Sequence, residues 1–122
     1  MTVRRKVITL SQLVNNGGKT LADIVVLYKT PQDPAAFDKY YFENHIPLAK
    51  KLPGLRKYRV TKGPVATPGG PSNLHLIAVL SFDSMAAIKA AFGSPEGKAT
   101  AADVPKFATG GVEMHFSETA EV

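Results

Sequence analysis

The alternation of apolar and polar positions divides the chain into six elements. Residues 24–29, IVVLYK, are β-branched and apolar throughout, the pattern of a strand covered on both faces. TPQDP breaks that run, and Asp33 followed by Pro34 supplies a cap and a first helical residue, which predicts a helix to about Lys51. Its apolar stripe is Phe37, Tyr41, His45, Leu48 and Leu52, spaced by three and four. Pro53-Gly54 ends it. Residues 55–62, LRKYRVTK, read as a strand with Tyr58 and Val60 on one face and Lys57, Arg59 and Thr61 on the other. A long Gly/Pro-rich hairpin loop, 63–73, leads into LHLIAVLSF at 74–82, the strongest strand in the chain and apolar on both faces. There Leu74, Leu76, Ala78, Leu80 and Phe82 point one way, and His75, Ile77, Val79 and Ser81 the other. Ser84 caps a helix over MAAIKAAF that Gly93 closes, a turn-rich segment with a helical turn or two follows, and VEMHFS at 112–117 is the last strand.

The resulting order, β-α-β-β-α-β, is that of a ferredoxin-like α+β domain: a four-stranded antiparallel sheet with both helices on one face and the first and third strands central. The other face of those central strands then carries apolar groups that need cover, and a second copy is the simplest cover. Residues 22–122 form the single domain expected of a 122-residue chain, and residues 1–21 are expected to be an arm. The basic opening MTVRRKVITL has a short, broken apolar stretch and no A-x-A site, so it reads as arm and not as export signal.

Composition adds exclusions. The chain has no cysteine, so neither disulfide nor thiolate metal site exists, which fits a cytoplasmic protein. No 18-residue apolar run suits a membrane span. The net charge of +5 is uneven: residues 1–62 hold twelve Lys/Arg against four Asp/Glu, and residues 63–122 three against six. The basic cluster of Lys50, Lys51, Arg56, Lys57, Arg59 and Lys62 raises the question of RNA, because RNA-recognition modules share this strand order. Their third strand needs glycine, a leading basic residue and several aromatics, whereas LHLIAVLSF has only the terminal Phe82, so nucleic acid is not the expected partner.

The chemistry centres on His45. It occupies the middle of the apolar stripe, and Pro47 just beyond it removes one helical hydrogen bond at a cost of about 3 kcal/mol in an ordinary helix interior. The helix should therefore bend or open beside His45, leaving room for a ligand. A structural histidine bonded to a nearby carbonyl, with a tolerated kink, accounts for the same pattern.

The run Tyr41, His45, Pro47, Leu48, Pro53-Gly54-Leu55 and Tyr58, with Asp103-Val104-Pro105 and Phe107 later, resembles the EthD family of the dimeric α+β barrel superfamily. The resemblance covers residues 24–117. It implies a homodimer whose sheets pack face to face, and a cleft between sheet and helices for a small organic ligand. Related proteins include cofactor-free monooxygenases, polyketide cyclases, muconolactone isomerases and haem-degrading enzymes, and EthD itself is linked to ether degradation without a settled chemical role. The expected function is acid/base chemistry of isomerase, cyclase or monooxygenase type on an aromatic, lactone or polyketide-like ligand. The alternative is a non-catalytic dimeric binding or accessory protein of a degradation pathway.

His45 is the expected proton carrier, because an imidazole can take and give a proton at neutral pH, and Tyr58 the expected donor to a developing enolate oxygen. Phe37, Tyr41, Leu48 and His75 are expected to line the ligand space. No metal and no cofactor is expected. His45, His75 and His115 are not expected to converge in this topology, since a strand separates the last two, and no further motif supports haem on His45.

Overall fold

The computed structural model of the chain describes residues 21–122. Its four-stranded sheet has the order β2-β5-β1-β6 and is antiparallel throughout. Strand β1 is Leu21–Lys29, β2 Lys57–Val60, β5 Leu74–Phe82 and β6 Val112–Thr119, so β1 and β5 are central, as the strand order requires. The loop expected over 63–73 contains a two-stranded hairpin of its own, β3 (Ala66–Thr67) with β4 (Gly70–Pro71). The expected arm lies outside the described residues except Leu21, which already pairs with Thr119.

One face of the sheet carries the core. Ala22, Ile24, Val26 and Tyr28 of β1 are buried there beside Leu76, Ala78, Leu80 and Phe82 of β5. Period-two alternation then places Leu21, Val25 and Leu27 on the outer face with Ile77 and Val79, all half-buried. Asp23 and Ser81 face each other on that side and share a 2.6 Å hydrogen bond.

Asp33 caps helix α1 (Pro34–Tyr40) by accepting from the Ala36 N–H, and Pro34 occupies the first turn. A π turn, Tyr41–His45, follows, then helix α2 (Ile46–Ala49). The Ile46 N–H reaches back five residues to the Tyr41 carbonyl. The expected opening beside His45 thus takes the form of a widened turn immediately before Pro47, which has no N–H to give. The wide turn also shifts the stripe: the buried positions are Phe37, Tyr41, His45, Ala49 and Leu52, and Leu48 is only half-buried.

Ser84 caps helix α3 (Met85–Gly93) and Ser94 caps helix α4 (Pro95–Asp103), each serine accepting from the N–H three residues on. The segment read as turn-rich is therefore mostly helix. Helix α4 burial is confined to small and polar side chains, Gly97, Thr100 and Asp103, which is why hydrophobic spacing does not reveal it.

Candidate active site

Three elements meet at His45. The π turn presents its ring to the core, where it is 4 % exposed and stacks on Tyr41 with centroids 5.3 Å apart. Phe107, just after α4, packs on both rings, with its centroid 4.6 Å from that of His45 and 5.5 Å from that of Tyr41. The end of α4 brings Asp103, itself 6 % exposed, so that the imidazole Nδ1 lies 2.9 Å from the carboxylate Oδ2. Tyr40 of α1 donates its hydroxyl to Oδ1 of the same carboxylate at 2.6 Å, and the exposed Lys106 ammonium stands 3.7 Å from that oxygen. A buried carboxylate held by two donors is thus aligned on one edge of the imidazole.

The protonation states follow from these surroundings. Burial among the aromatic rings lowers the His45 pKa below its ordinary 6.5, and the bond to Asp103 opposes that shift without overcoming it. Burial works to raise Asp103, but the bonds from Tyr40 and His45 outweigh it and hold the carboxyl below its ordinary 3.8. At neutral pH the pair is therefore a neutral imidazole donating Nδ1–H to an ionised carboxylate. That tautomer leaves a lone pair on Nε2, which makes no hydrogen bond among the described residues.

A cavity of about 30 Å³ adjoins the ring, with His45, Tyr28, Tyr41, Tyr58, Ala49 and Leu52 in its wall. Strands β1 and β5 supply an apolar floor of Ile24, Val26, Ala78 and Leu80. That volume holds about two water molecules. Phe92 of α3, Ala101 of α4 and Met114 of β6 close the far end, where Met114 is 39 % exposed. The Tyr41 and Tyr58 hydroxyls are 2.6 Å apart in the wall. Burial raises both pKa values, that of Tyr58 to about 12, so both remain neutral at physiological pH.

The residues expected at the site are distributed unevenly. His45, Tyr41 and Tyr58 line the cavity. Phe37 is buried but lies off the cavity, packed on Tyr28 and Tyr41. Leu48 also stands off it, because the π turn puts Ala49 at that place in the wall. His75 does not reach the cavity and does not point to the outer face either. The β1–β5 register slips between Tyr28 and Lys29, opposing Leu76 to the first and Leu74 to the second, and the extra residue, His75, turns toward α1. It contacts the Phe37 ring at 4.9 Å and the Asp38 carboxylate at 2.7 Å. Asp103 and Tyr40 have no role in the sequence-based site. The only signal for Asp103 is its place in the family-like run, since its partner is 58 residues away.

The buried pair also sets a pH dependence for folding. As the pH falls below 6.5 the unfolded chain protonates His45 before the folded chain does, so the unfolded state binds more protons and stability declines. Asp103, depressed in the folded state, adds to the loss below about pH 3.8. Urea midpoints measured from pH 8 downward should fall once pH 6.5 is passed. A His45→Gln chain should show a shallower fall in that upper window, and an unchanged slope would contradict the assigned protonation states.

A ferredoxin-like α+β domain with a buried histidine–aspartate pair against an apolar cavity is the class these features define. The EthD domain model matches residues 29–111. Over 99 residues the chain is 39 % identical to an uncharacterized 11.0 kDa protein in the thcB-thcC intergenic region of Rhodococcus erythropolis, covering 81 % of this chain and 95 % of that one. The crystal structure of an EthD family protein from Bacillus halodurans superposes with a TM-score of 0.76 at 35 % identity, covering 81 % of this chain and 98 % of that one. The chain belongs to the EthD family. More distant structures share the fold alone. One is SnoaB, a cofactor-independent oxygenase of Streptomyces nogalater, with TM-score 0.60, 12 % identity and coverage of 86 % and 97 %. Another is the hydroxynitrile lyase of Passiflora edulis, with TM-score 0.65, 15 % identity and coverage of 85 % and 96 %. Among the described residues no helix is long and apolar enough to cross a membrane, and no cluster of three His, Asp or Glu side chains could hold a metal ion.

Proposed function

We propose that this chain is an enzyme of cofactor-independent acid/base chemistry, in which His45 Nε2 removes a proton from a carbon acid within the apolar cavity. The observation that carries the reading is the 2.9 Å Nδ1–Asp103 contact at a buried ring in the cavity wall. Asp103 fixes the tautomer that frees Nε2 and stabilises the imidazolium that forms once the proton is taken. Tyr58 supplies the other half. When the Tyr41 hydroxyl donates to the Tyr58 oxygen, the Tyr58 proton is free to donate to a developing enolate oxygen. An apolar, water-poor site strengthens both interactions. This division of labour suits an isomerase, a cyclase or a monooxygenase that begins by forming a carbanion. A ring-sized substrate must displace Phe92 and Met114, the large side chains that line the cavity together with the exposed Ala101.

The same reading includes a homodimer. Val25, Leu27, Ile77 and Val79 make a contiguous apolar patch on the outer face of the sheet, with Leu21 beyond the Asp23–Ser81 pair. A second copy packed on that patch removes it from water.

A probe reaction tests the base directly. Base-promoted opening of 5-nitrobenzisoxazole moves the C3 proton to the base, converts the C–H electron pair into a nitrile π bond and breaks N–O to release a phenolate. The wild-type chain should accelerate it, and His45→Gln should lower the rate about 10²- to 10⁴-fold. Equal rates for the two folded proteins would defeat the assignment of His45.

A further inference from the structure

A second concavity lies beyond the Tyr41–Tyr58 contact. Asp38 and Phe42 of the α1–π segment form one wall, Val60 with the loop Thr61–Pro64 another, and His75 and Leu76 of β5 the floor. Its volume is about 660 Å³, within the range of small-ligand sites and far larger than the cavity at His45. The two spaces are neighbours, not one: Val60 lines the outer one, and Ala78, its cross-strand partner, lines the inner one.

The side chains in the cleft sort into two kinds. Phe42 turns half its surface to solvent although its neighbours in the π turn, Tyr41 and His45, are buried, so a large aromatic face is offered to the cleft. Val60, Pro64 and Leu76 extend that apolar surface. The polar members are Lys62, His75 and Asp38. Asp38 accepts from His75 Nε2 at 2.7 Å, so its charge is directed at the imidazole. Lys62 has no carboxylate within ion-pair distance among the described residues. The β-bulge adds a separate indication. A regular strand would put His75 on the outer face, and the extra residue at this point of β5 turns it into the cleft instead. Bulges commonly re-aim side chains in this way beside functional sites.

We propose that this cleft is a binding site for aromatic acids: the ring lies on Phe42, Val60 and Leu76, and the carboxylate takes the Lys62 ammonium, while His75 holds the Asp38 charge on its own N–H. The chemistry requires a flat apolar body with one anionic group. A neutral ring leaves the ammonium without a partner, and an aliphatic acid forgoes the aromatic face. The site does not depend on proton transfer at His45.

Benzoate and benzyl alcohol, titrated into the full-length 15N-labelled chain, form the test. Benzoate should give saturable shifts at the amides of Thr61, Lys62, Gly63, His75 and Leu76, and should bind about two- to fivefold more tightly than the alcohol, the preference expected of one exposed charge pair. Lys62→Gln should remove that preference without altering the rest of the spectrum. Phe42→Ala should weaken both ligands. His45→Gln should leave benzoate binding intact, so that loss of the base reaction and loss of this site are read separately. Equal affinities for the two ligands, an unaltered preference in Lys62→Gln, shifts confined to the His45 cavity, or no saturable shift would each overturn the proposal.

Discussion

Asp103→Asn should slow the opening of 5-nitrobenzisoxazole about 10²- to 10⁴-fold while leaving the protein folded. The exchange is nearly isosteric and acts through His45 by either of two routes. If the new amide donates to Nδ1, the imidazole proton moves to Nε2 and the base disappears. If instead the amide oxygen faces Nδ1–H, the tautomer survives, but the imidazolium formed on proton transfer has lost its counter-charge at 2.9 Å. A purely structural pair would predict something different, a loss of stability with the residual rate per folded molecule unchanged. The pH profile separates these cases. The wild-type rate should fall on the acid side with a midpoint below 6.5, because burial depresses the His45 pKa, and Asp103→Asn should displace that midpoint as well as lower the plateau. Unchanged plateau and midpoint would remove Asp103 from the mechanism.

Gly97→Ala should produce a large loss of stability from a very small change in volume. Helix α4 turns back on α3 so closely that a methyl group at position 97 would lie 2.1 Å from the Ala91 carbonyl oxygen and 2.6 Å from Phe92 Cα. Both are backbone atoms of α3, which no rotamer can move, so α4 must lift away. The expected cost is about 3 kcal/mol, the upper range for overpacking. Because α4 carries Asp103 at its end, the same displacement should lengthen the contact to His45 and reduce the base reaction. Gly93→Ala is the matched control: a methyl group there meets nothing within 4 Å and should be neutral or slightly stabilising. Equal melting temperatures for the two variants would show that the close approach is not constraining.

The positions of the elements were legible because their signals are local. Asp33-Pro34 and Ser84 mark helix starts through their own side chains, and the two-sided apolar run at 74–82 marks a central strand. The opening beside His45 was legible for the same reason, since a proline's missing donor acts on the preceding turn. Its form was not: a kink and a π turn satisfy the same proline, but only the π turn exchanges Leu48 for Ala49 in the buried stripe. His75 was misplaced because strict alternation assumes unbroken register, and the slip opposite Tyr28 and Lys29 arises between two strands that are far apart in sequence. Asp103 was hidden for two reasons. It ends a helix whose buried face is small and polar, and its meaning depends on a contact across 58 residues.

Strand β1 has consequences beyond its place in the sheet. Val26 and Tyr28 help to shape the space beside His45, while Val25 and Leu27, on the same nine-residue backbone, lie half-buried on the outer face of the sheet. A single peptide ribbon therefore separates the His45 cavity from the face that the proposed dimer would cover. With the proposed dimer in place, a twist imposed on that face would pass into the His45 cavity within one residue, so substitution at Val25 or Leu27 would retune the proposed base without touching any group that handles the proton.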